Sequence, residues 1–197
     1  MPDAGTIHVG DQLVSSRDNV VSPDQRGMGM VFQNYAVWPH KTVYENVVFG
    51  LKIRKTPTAE AKKKVDETLG LVNLRGYENR YPNELSGGQR QTISLVMASL
   101  GEPRLLLLDE HTAALDPRAE ATVMALTDRL VARLGTTALM VTHSLEQALR
   151  HGDRLLMLQE GRLIGDWSAA ERQQFSPASL RELYGNATVQ ADPPSLG

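Results

Sequence analysis

Two short apolar runs separated by a helical pattern constrain the fold of this chain most strongly. The first run, at residues 104–108, contains four consecutive leucines, and the second, at residues 137–141, reads TALMV. Continuous apolar character is typical of strands that are covered on both faces, and parallel strands need a long crossover connection, which is usually a helix. The pattern therefore predicts an α/β fold with a parallel sheet.

The segment between the two runs carries the signals of a helix. Asp116 stands at the N-cap position, Pro117 at the first helical position and Gly135 just beyond the last. One face is expected to pack on the sheet, because apolar residues recur there at helical spacing. These residues are Val123, Leu126, Leu130 and Leu134.

Further elements are expected on the C-terminal side of the second run. Ser144, followed three residues later by a glutamine, matches the capping-box pattern and predicts the start of a helix. Residues 154–159 predict another strand. The Glu-Gly pair at residues 160–161 predicts a turn into a final strand that runs through Trp167.

The middle of the chain differs from the C-terminal half. Thr58 opens an amphipathic helical pattern that a Tyr-Pro-Asn break ends at residues 81–83, and residues 34–95 are therefore interpreted as a mostly helical insertion. Its apolar positions include Val65, Leu69 and Val72. The proline-containing end, residues 191–197, is expected to be a frayed tail.

Composition excludes several classes of function. No apolar stretch approaches the roughly 18 residues that a membrane span needs, and residues 1–30 lack the apolar core of a secretory signal, so the expected compartment is the cytoplasm. The chain has no cysteine, and any metal is therefore expected to be held by oxygen ligands. With 23 acidic and 21 basic side chains, the formal charge of −2 argues against a nucleic-acid partner.

The segment LSGGQ at residues 85–89 precedes an apolar helical pattern. The N-terminus of a helix attracts phosphate, glycines let a ligand approach the backbone, and the Ser86 hydroxyl adds a donor. The alternative is a helix-capping turn that binds nothing. The segment alone favours that alternative.

Asp109 and Glu110 directly follow the four leucines. They are expected at the C-terminal end of a buried parallel strand, where open α/β sheets bind ligands. One carboxylate could hold Mg²⁺ while the other polarises an attacking water, although an acidic pair at this place can also be a simple turn. His143 likewise follows a strand and could donate a hydrogen bond to a phosphate oxygen, or it could be a capping or packing residue.

Taken together, these segments resemble the ABC ATPase family. Five family motifs occur in the family's order across residues 4–168: VFQ, LSGGQRQ, LLLLDE, AALD and VTH. The resemblance implies a RecA-like parallel-sheet core, here incomplete, with a helical subdomain that carries the ABC signature. The implied domains are a partial core at residues 1–33, the signature subdomain at 34–95, the remaining core at 96–168 and a C-terminal tail at 169–197.

The resemblance also implies a role for each matching residue. Gln33 is the Q-loop residue that senses Mg²⁺ and the attacking water, Asp109 the Walker B carboxylate that supports Mg²⁺, Glu110 the general base and His143 the switch histidine. Asp116 is the D-loop contact across a dimer. The signature that closes on ATP held by the opposite subunit consists of Ser86, Gly87, Gly88 and Gln89.

The family works as a head-to-tail dimer that sandwiches two ATP molecules and drives transmembrane permease subunits. The resemblance therefore implies ATP and Mg²⁺ as cofactors. It implies as partners a second ATP-binding subunit, identical or different, the permease subunits and a solute-binding protein. The expected location is peripheral, on the cytoplasmic face of the cell membrane, and the segment at residues 35–46 is expected near the permease.

One family motif does not occur in the sequence. The phosphate-binding string G-x-x-x-x-G-K-[ST], called Walker A, is absent from the 197 residues. We therefore expect a chain that begins within the domain, that is inactive alone, and whose strands at residues 105–108 and 137–141 lack neighbours. A subunit that only donates its signature to an intact partner is one alternative function. A soluble ABC protein of translation or DNA repair is another.

The importer subtype is left open by the sequence. Residues 31–55 resemble importers of sugars and related solutes, whereas the segments DEHTAALDP and SLVMASL resemble a group associated with amino-acid-like substrates. His111 stands where proline is usual in that family motif. An importer is favoured over an exporter, because exporters commonly fuse this domain to membrane helices.

Overall fold

The computed structural model describes residues 2–189. These residues form two compact units, one ending at Val141 and the other beginning at Thr142. The tail expected at residues 191–197 lies outside the described residues. Within residues 2–189, no helix is both long enough and apolar enough to cross a bilayer.

The first unit contains a parallel sheet, as the apolar runs predict. After an antiparallel hairpin of β1 (Ile7–Val9) and β2 (Gln12–Ser15), the sheet is built in the order β3-β4-β5. Its strands are β3 (Met28–Val31), β4 (Leu105–Asp109) and β5 (Thr137–Val141). Val31 pairs with Leu108, and Asp109 pairs with Val141, so the three strands end at nearly the same level. The α/β fold class is confirmed.

Four α-helices are described in the first unit. They are α1 (Val43–Ile53), α2 (Thr58–Leu71), α3 (Gly87–Ser99) and α4 (Pro117–Leu134). Helix α4 has the predicted ends, since the Asp116 carboxylate caps its start and Gly135 adopts the left-handed conformation after it, with φ 58°. Fully buried residues of α1, α2, α3 and β4 share one core, to which Val47, Leu69, Leu95 and Leu106 belong.

Helix α3 lies directly on β3. A Cβ atom on Gly29 would stand 2.3 Å from the Ala98 carbonyl oxygen, so only glycine allows this approach of helix to strand. The helix runs without a break through residue 95, where the sequence interpretation ends the helical subdomain.

The two leucine-rich strands differ in burial. In β4, Leu106 and Leu108 are buried, whereas β5 exposes Leu139 and Val141 although its sequence is typical of a covered strand. Among residues 2–189, β5 is an edge strand of this sheet, whereas the alternate leucines of β4 are covered.

A single buried side chain organises the loop that precedes α1. The Asn46 side-chain oxygen accepts a hydrogen bond from the Trp38 backbone N–H at 2.8 Å. Its amide nitrogen donates to the carbonyl oxygens of Trp38, Lys41 and Thr42 at 3.2, 3.1 and 2.9 Å. The Trp38 ring also stacks on Phe49 of α1, with ring centres 4.4 Å apart. The loop is thus fixed to the helix that follows it.

The second unit contains α5 (Leu145–Arg150), β6 (Arg154–Gln159), β7 (Arg162–Ser168), α6 (Ala169–Arg172) and α7 (Pro177–Val189). The strand predicted at residues 154–159 is present, but it does not extend the parallel sheet. It pairs antiparallel with β7 as a hairpin, because the connecting Glu-Gly turn is too short for a parallel crossover.

The described part of the segment interpreted as a C-terminal tail contains two helices. Leu180 of α7 is fully buried and shares a small core with Leu155 and Met157 of β6. Phe175, between the helices, packs on Trp167 with ring centres 4.9 Å apart. This apolar contact holds the segment against the hairpin.

Candidate functional site

Three of the expected site residues lie at the C-terminal edge of the parallel sheet. Asp109 is the last residue of β4 and is exposed, and Glu110 follows it. Gln33 is exposed two residues beyond the end of the adjacent strand β3. Because β3 and β4 are paired in parallel, these residues extend from the same edge. The topology thus places an amide and two carboxylates at one edge of the sheet, where the sequence predicts the two carboxylates.

Glu110 has a strained backbone that the sequence does not reveal. Its φ of 44° places it in the left-handed region, which non-glycine residues rarely adopt. Its backbone N–H donates to the Val141 carbonyl oxygen of β5 at 3.0 Å. Strain of this kind persists only where the surroundings hold it, and it is frequent at active sites.

The signature segment, residues 86–89, caps helix α3. The Ser86 hydroxyl oxygen accepts a hydrogen bond from the Gln89 backbone N–H at 3.2 Å, and the Gln89 side-chain oxygen accepts from the Ser86 N–H at 2.9 Å. The capping alternative is therefore realised. It does not exclude phosphate binding, because the hydroxyl hydrogen of Ser86 can still be donated to a ligand.

The two signature glycines are in close contact with neighbouring side chains. A Cβ atom on Gly87 would stand 3.0 Å from the Tyr35 hydroxyl and 3.5 Å from a methyl group of Leu115. A Cβ atom on Gly88 would stand 3.1 Å from the Cβ of Ala119 in α4. Packing within the chain thus gives both glycines a role in addition to the approach of a ligand.

Asp116 lies between the carboxylate pair and helix α4. Its carboxylate accepts hydrogen bonds from the backbone N–H groups of Arg118 and Ala119 at 3.1 and 3.0 Å. Capping therefore occupies the side chain, while its exposed position leaves a contact to a second subunit sterically possible. Through Ala119, the start of this helix also contacts the signature segment.

His143 belongs to the second unit. It lies between two residues that organise the start of α5. The Thr142 hydroxyl donates to the Gln147 side-chain oxygen at 2.9 Å, and the Ser144 hydroxyl oxygen accepts from the Gln147 N–H at 3.3 Å. Ser144 caps the helix as predicted, but Gln147 binds Thr142 through its side-chain oxygen.

His111 has a structural explanation. It is buried, and its Nε2 lies 3.1 Å from the Thr127 hydroxyl of α4. That hydroxyl donates its hydrogen to the Val123 carbonyl oxygen at 2.9 Å, so its oxygen accepts the hydrogen from Nε2. His111 therefore links the loop that follows Asp109 and Glu110 to α4. This hydrogen bond explains the residue without a catalytic role.

Two further residues at the site were not given roles by the sequence interpretation. Tyr35 belongs to the loop that carries Gln33, and the centre of its ring lies 4.9 Å from the Arg90 guanidinium. Gln91 is fully buried, and its side-chain nitrogen donates to the Phe32 carbonyl oxygen at 3.2 Å. Their only sequence signal is proximity to recognised motifs.

The donor set fits Mg²⁺ only as a partner of a nucleotide. Among residues 2–189, no group of three or more histidine and acidic side chains could hold a metal. Mg²⁺ in phosphoryl-transfer sites is typically held by one or two carboxylates together with waters and substrate phosphates. Asp109 at the end of β4 and Gln33 beyond the end of β3 would supply such a partial set at this edge of the sheet. An open hollow of about 310 Å³ at the ends of α2 and α4 is lined by none of the site residues.

Comparison with known proteins matches the sequence of this chain to a family. The family described as ABC transporter matches residues 1–113. The sulfate/thiosulfate import ATP-binding protein CysA of Mycobacterium bovis is 43% identical over 190 residues, which is 96% of this chain and 51% of that protein. The spermidine/putrescine import ATP-binding protein PotA of Marinobacter nauticus is 41% identical over 179 residues, covering 91% of this chain and 47% of that protein.

The chain spans about half the length of the curated relatives it matches. The family match covers more than half of the chain and includes the residues of the signature segment and the acidic pair. The parallel sheet, the capped signature helix and the carboxylates at the sheet edge agree with this family match. The chain therefore belongs to the ABC transporter family, and its relatives named above are ATP-binding proteins of that family.

Proposed function

We propose that this chain is part of the ATP-binding subunit of an ABC importer and that it couples ATP binding and hydrolysis to the movement of permease subunits. The observation that carries the proposal is the placement of Asp109 and Glu110 at the end of β4, in the same unit as the capped signature helix α3. The relatives CysA and PotA are named as import ATP-binding proteins, which supports the direction of transport.

The proposed chemistry is phosphoryl transfer to water. Glu110 is the general base that takes a proton from the attacking water, and Gln33 orients that water. Asp109 holds Mg²⁺, which neutralises charge on the phosphates when bound. For His143, the resemblance to the family supports a role as the switch histidine, which donates a hydrogen bond to a phosphate oxygen. The strained backbone at Glu110 supports the proposal, because it fixes the direction of the carboxylate.

The signature segment is proposed to act across a dimer interface. Ser86, Gly87, Gly88 and Gln89 close on ATP held by the opposite subunit, with the Ser86 hydroxyl and the N-terminus of α3 directed at its phosphates. Asp116 contacts the opposite subunit from the start of α4. The dimer is identical or mixed in composition, and its closure drives the permease from the cytoplasmic face of the membrane.

A second candidate function is supported by the sequence itself. The printed 197 residues contain no Walker A string, which supplies the backbone cradle and lysine for the phosphates. Within these residues the chain can offer a signature to a partner's ATP but has no P-loop for its own. As the second candidate function, the chain donates its signature segment to the ATP that is held by a subunit with a P-loop.

The transported solute is proposed to be chosen by the permease and a solute-binding protein. The relatives' names include sulfate or thiosulfate and spermidine or putrescine, which are an anion class and a cation class. Chemistry this different on similar ATP-binding chains supports the assignment of specificity to other subunits.

Two helix N-caps with the same hydrogen-bond pattern allow an experiment that tests the role of Ser86. Ser86 caps α3, and Thr42 caps α1 with the same reciprocal pattern, its hydroxyl oxygen accepting from the Glu45 N–H at 3.2 Å. Replacing either with alanine should lower the free energy of unfolding by a similar amount, about 0.5–2 kcal/mol. ATPase activity is then measured for each variant combined with an ABC subunit that contains Walker A.

The proposal expects Ser86→Ala to lose most of the ATPase activity of the mixture and Thr42→Ala to retain it. Equal retention by both variants would show that Ser86 is only a cap. The two candidate functions separate in the same assay. Activity of the chain alone supports autonomous hydrolysis, and activity only with the partner supports signature donation.

A further inference from the structure

The loop that carries Gln33 and the first turn of α3 are joined by three contacts in one chain. We call residues 32–36 the glutamine loop. The Gln91 side chain donates to the Phe32 carbonyl oxygen at 3.2 Å, although the two residues are 59 positions apart. The Tyr35 ring stacks below Arg90 at 4.9 Å, and its hydroxyl group lies against Gly87.

The glutamine loop is strained where it meets α3. Tyr35 and Ala36 have φ values of 43° and 42°, both in the left-handed region, and neither is glycine. The Ala36 N–H also makes a tight turn contact with the Asn34 carbonyl oxygen. Two consecutive residues in this conformation persist only if their surroundings hold them. The contacts of Tyr35 with Arg90 and Gly87 are made at the first of these two residues.

Burial of Gln91 points to the same link. Its side chain is fully buried beneath the start of α3, and its oxygen has no hydrogen-bond partner among the residues described. An apolar residue of similar size would fill this space without leaving a polar atom unpaired. What glutamine adds is the hydrogen bond to Phe32, which sets the backbone one residue before Gln33.

We propose that Tyr35 and Gln91 are positioning residues that tie the glutamine loop to the signature segment, so that Gln33 and Ser86 move as one body. The functional consequence rests on the proposed roles of Gln33 and Ser86. A phosphate bound at the signature of one subunit then displaces, in that same subunit, the loop that contacts Mg²⁺ and water. Communication between the two ATP sites of a dimer follows this short path through Tyr35.

The absence of cysteine from the chain allows a direct test. Asn34→Cys and Asn83→Cys are introduced at exposed positions in the glutamine loop and just before the signature, and both are spin-labelled. The distance distribution between the labels is then measured by pulsed electron paramagnetic resonance in the full chain. This readout needs no nucleotide, so it does not depend on ATPase activity.

We call the contacts that Tyr35 and Gln91 make between the glutamine loop and α3 the bridge. It predicts one narrow distance peak in the parent and loss of that peak in Tyr35→Leu and in Gln91→Met. Tyr35→Phe, which keeps the ring over Arg90, should retain it. Tyr35 is only half-buried, so its variants are expected to fold, and circular dichroism checks this. An unchanged peak in folded Tyr35→Leu would overturn the proposal.

A second readout separates positioning from general structure. In an ATP-hydrolysing assembly, Tyr35→Leu should cause a several-fold loss of kcat with little change in KM, and Tyr35→Phe should restore kcat. If no assembly that contains the parent chain hydrolyses ATP, the proposed function fails, while the distance measurement still decides whether Tyr35 ties the glutamine loop to the signature segment. If kcat is unaffected while the distance peak is lost, the claim that the bridge serves Gln33 is overturned.

Discussion

Gly88 and Ala119 bring two helix starts into contact, since a Cβ atom on the glycine would stand 3.1 Å from the Cβ of the alanine. One helix begins at the signature segment, and the other begins after Asp116. The distance is shorter than ordinary van der Waals contact. The first turn of α4 therefore limits the size of the side chain at residue 88.

Gly88→Ala should lower the free energy of unfolding by up to about 2 kcal/mol, because overpacking outweighs the gain in helix propensity. Ala119→Gly in the same chain should recover most of that loss. Chemical denaturation of the two single variants and the double variant gives the coupling energy. Strict additivity would contradict direct contact between these residues.

Strain at Glu110 predicts an inverted preference between glycine and alanine. Glu110→Gly and Glu110→Ala both remove the carboxylate, but only glycine relieves the φ of 44°. The glycine variant should be more stable by about 1 kcal/mol. At Glu120 in helix α4, the order should reverse, since glycine is about 1 kcal/mol worse than alanine inside a helix. Thermal unfolding of the four variants measures both differences.

Unequal burial of β4 and β5 predicts unequal costs for the same substitution. Leu106 is 0% exposed and Leu139 is 47% exposed. Leu106→Ala should cost about 2–5 kcal/mol, whereas Leu139→Ala should cost less than about 1 kcal/mol. Equal costs in denaturant titrations would mean that β5 is covered in solution, and repeating the titration at several protein concentrations would show whether other copies cover it.

The Arg154–Asp166 pair predicts an acid-sensitive hairpin. The Arg154 guanidinium donates to both Asp166 oxygens, at 2.6 and 2.5 Å, and holds the pKa of that carboxyl below its ordinary value. Because the folded pKa is the lower one, the stabilisation is fully present above the ordinary pKa and is lost as the pH falls through the folded pKa. Titration by NMR should show the lowered pKa, and Arg154→Leu should restore it. An unaltered pKa in that variant would rule out the pair as the cause.

Glu110→Gln tests the proposed base in an assembly that hydrolyses ATP. Turnover should be abolished while nucleotide binding is retained, since only the proton acceptor is lost. Size-exclusion chromatography with ATP should then show an accumulated dimer. Hydrolysis near the parental rate would mean that Glu110 is not the base.

Much of the fold was accessible from the sequence because it follows from periodicity and caps. Helix α4 begins after Asp116 and ends before Gly135, and strand β5 occupies residues 137–141, as predicted. The predicted Glu-Gly turn after β6 is consistent with its antiparallel pairing to β7, because so short a connection does not allow a parallel crossover. The packing of residues 169–189 was not accessible, because it depends on the burial of Leu180, which is a tertiary contact.

The candidate site divides in the same way. Asp109 and Glu110 were placed at a strand end by sequence alone, whereas Gln33 was identified only by its resemblance to the family motif, and its place beyond the end of β3 comes from the structure. The strain at Glu110 and the burial of Gln91 are set by packing among distant segments, and no local pattern encodes them. The assigned roles of these residues remain predictions for the experiments above.

The network around Asn46 has a consequence for recognition by a partner. One side chain binds four backbone groups of the loop at residues 38–42 and is itself buried in α1, so the loop holds its shape without help from a second protein. A partner that docks there finds a surface already ordered and loses little conformational entropy in binding. Selectivity at such a surface comes from shape complementarity to a loop of fixed conformation. Substitutions at Asn46 would change the affinity for the partner indirectly, because the buried side chain does not contact the partner.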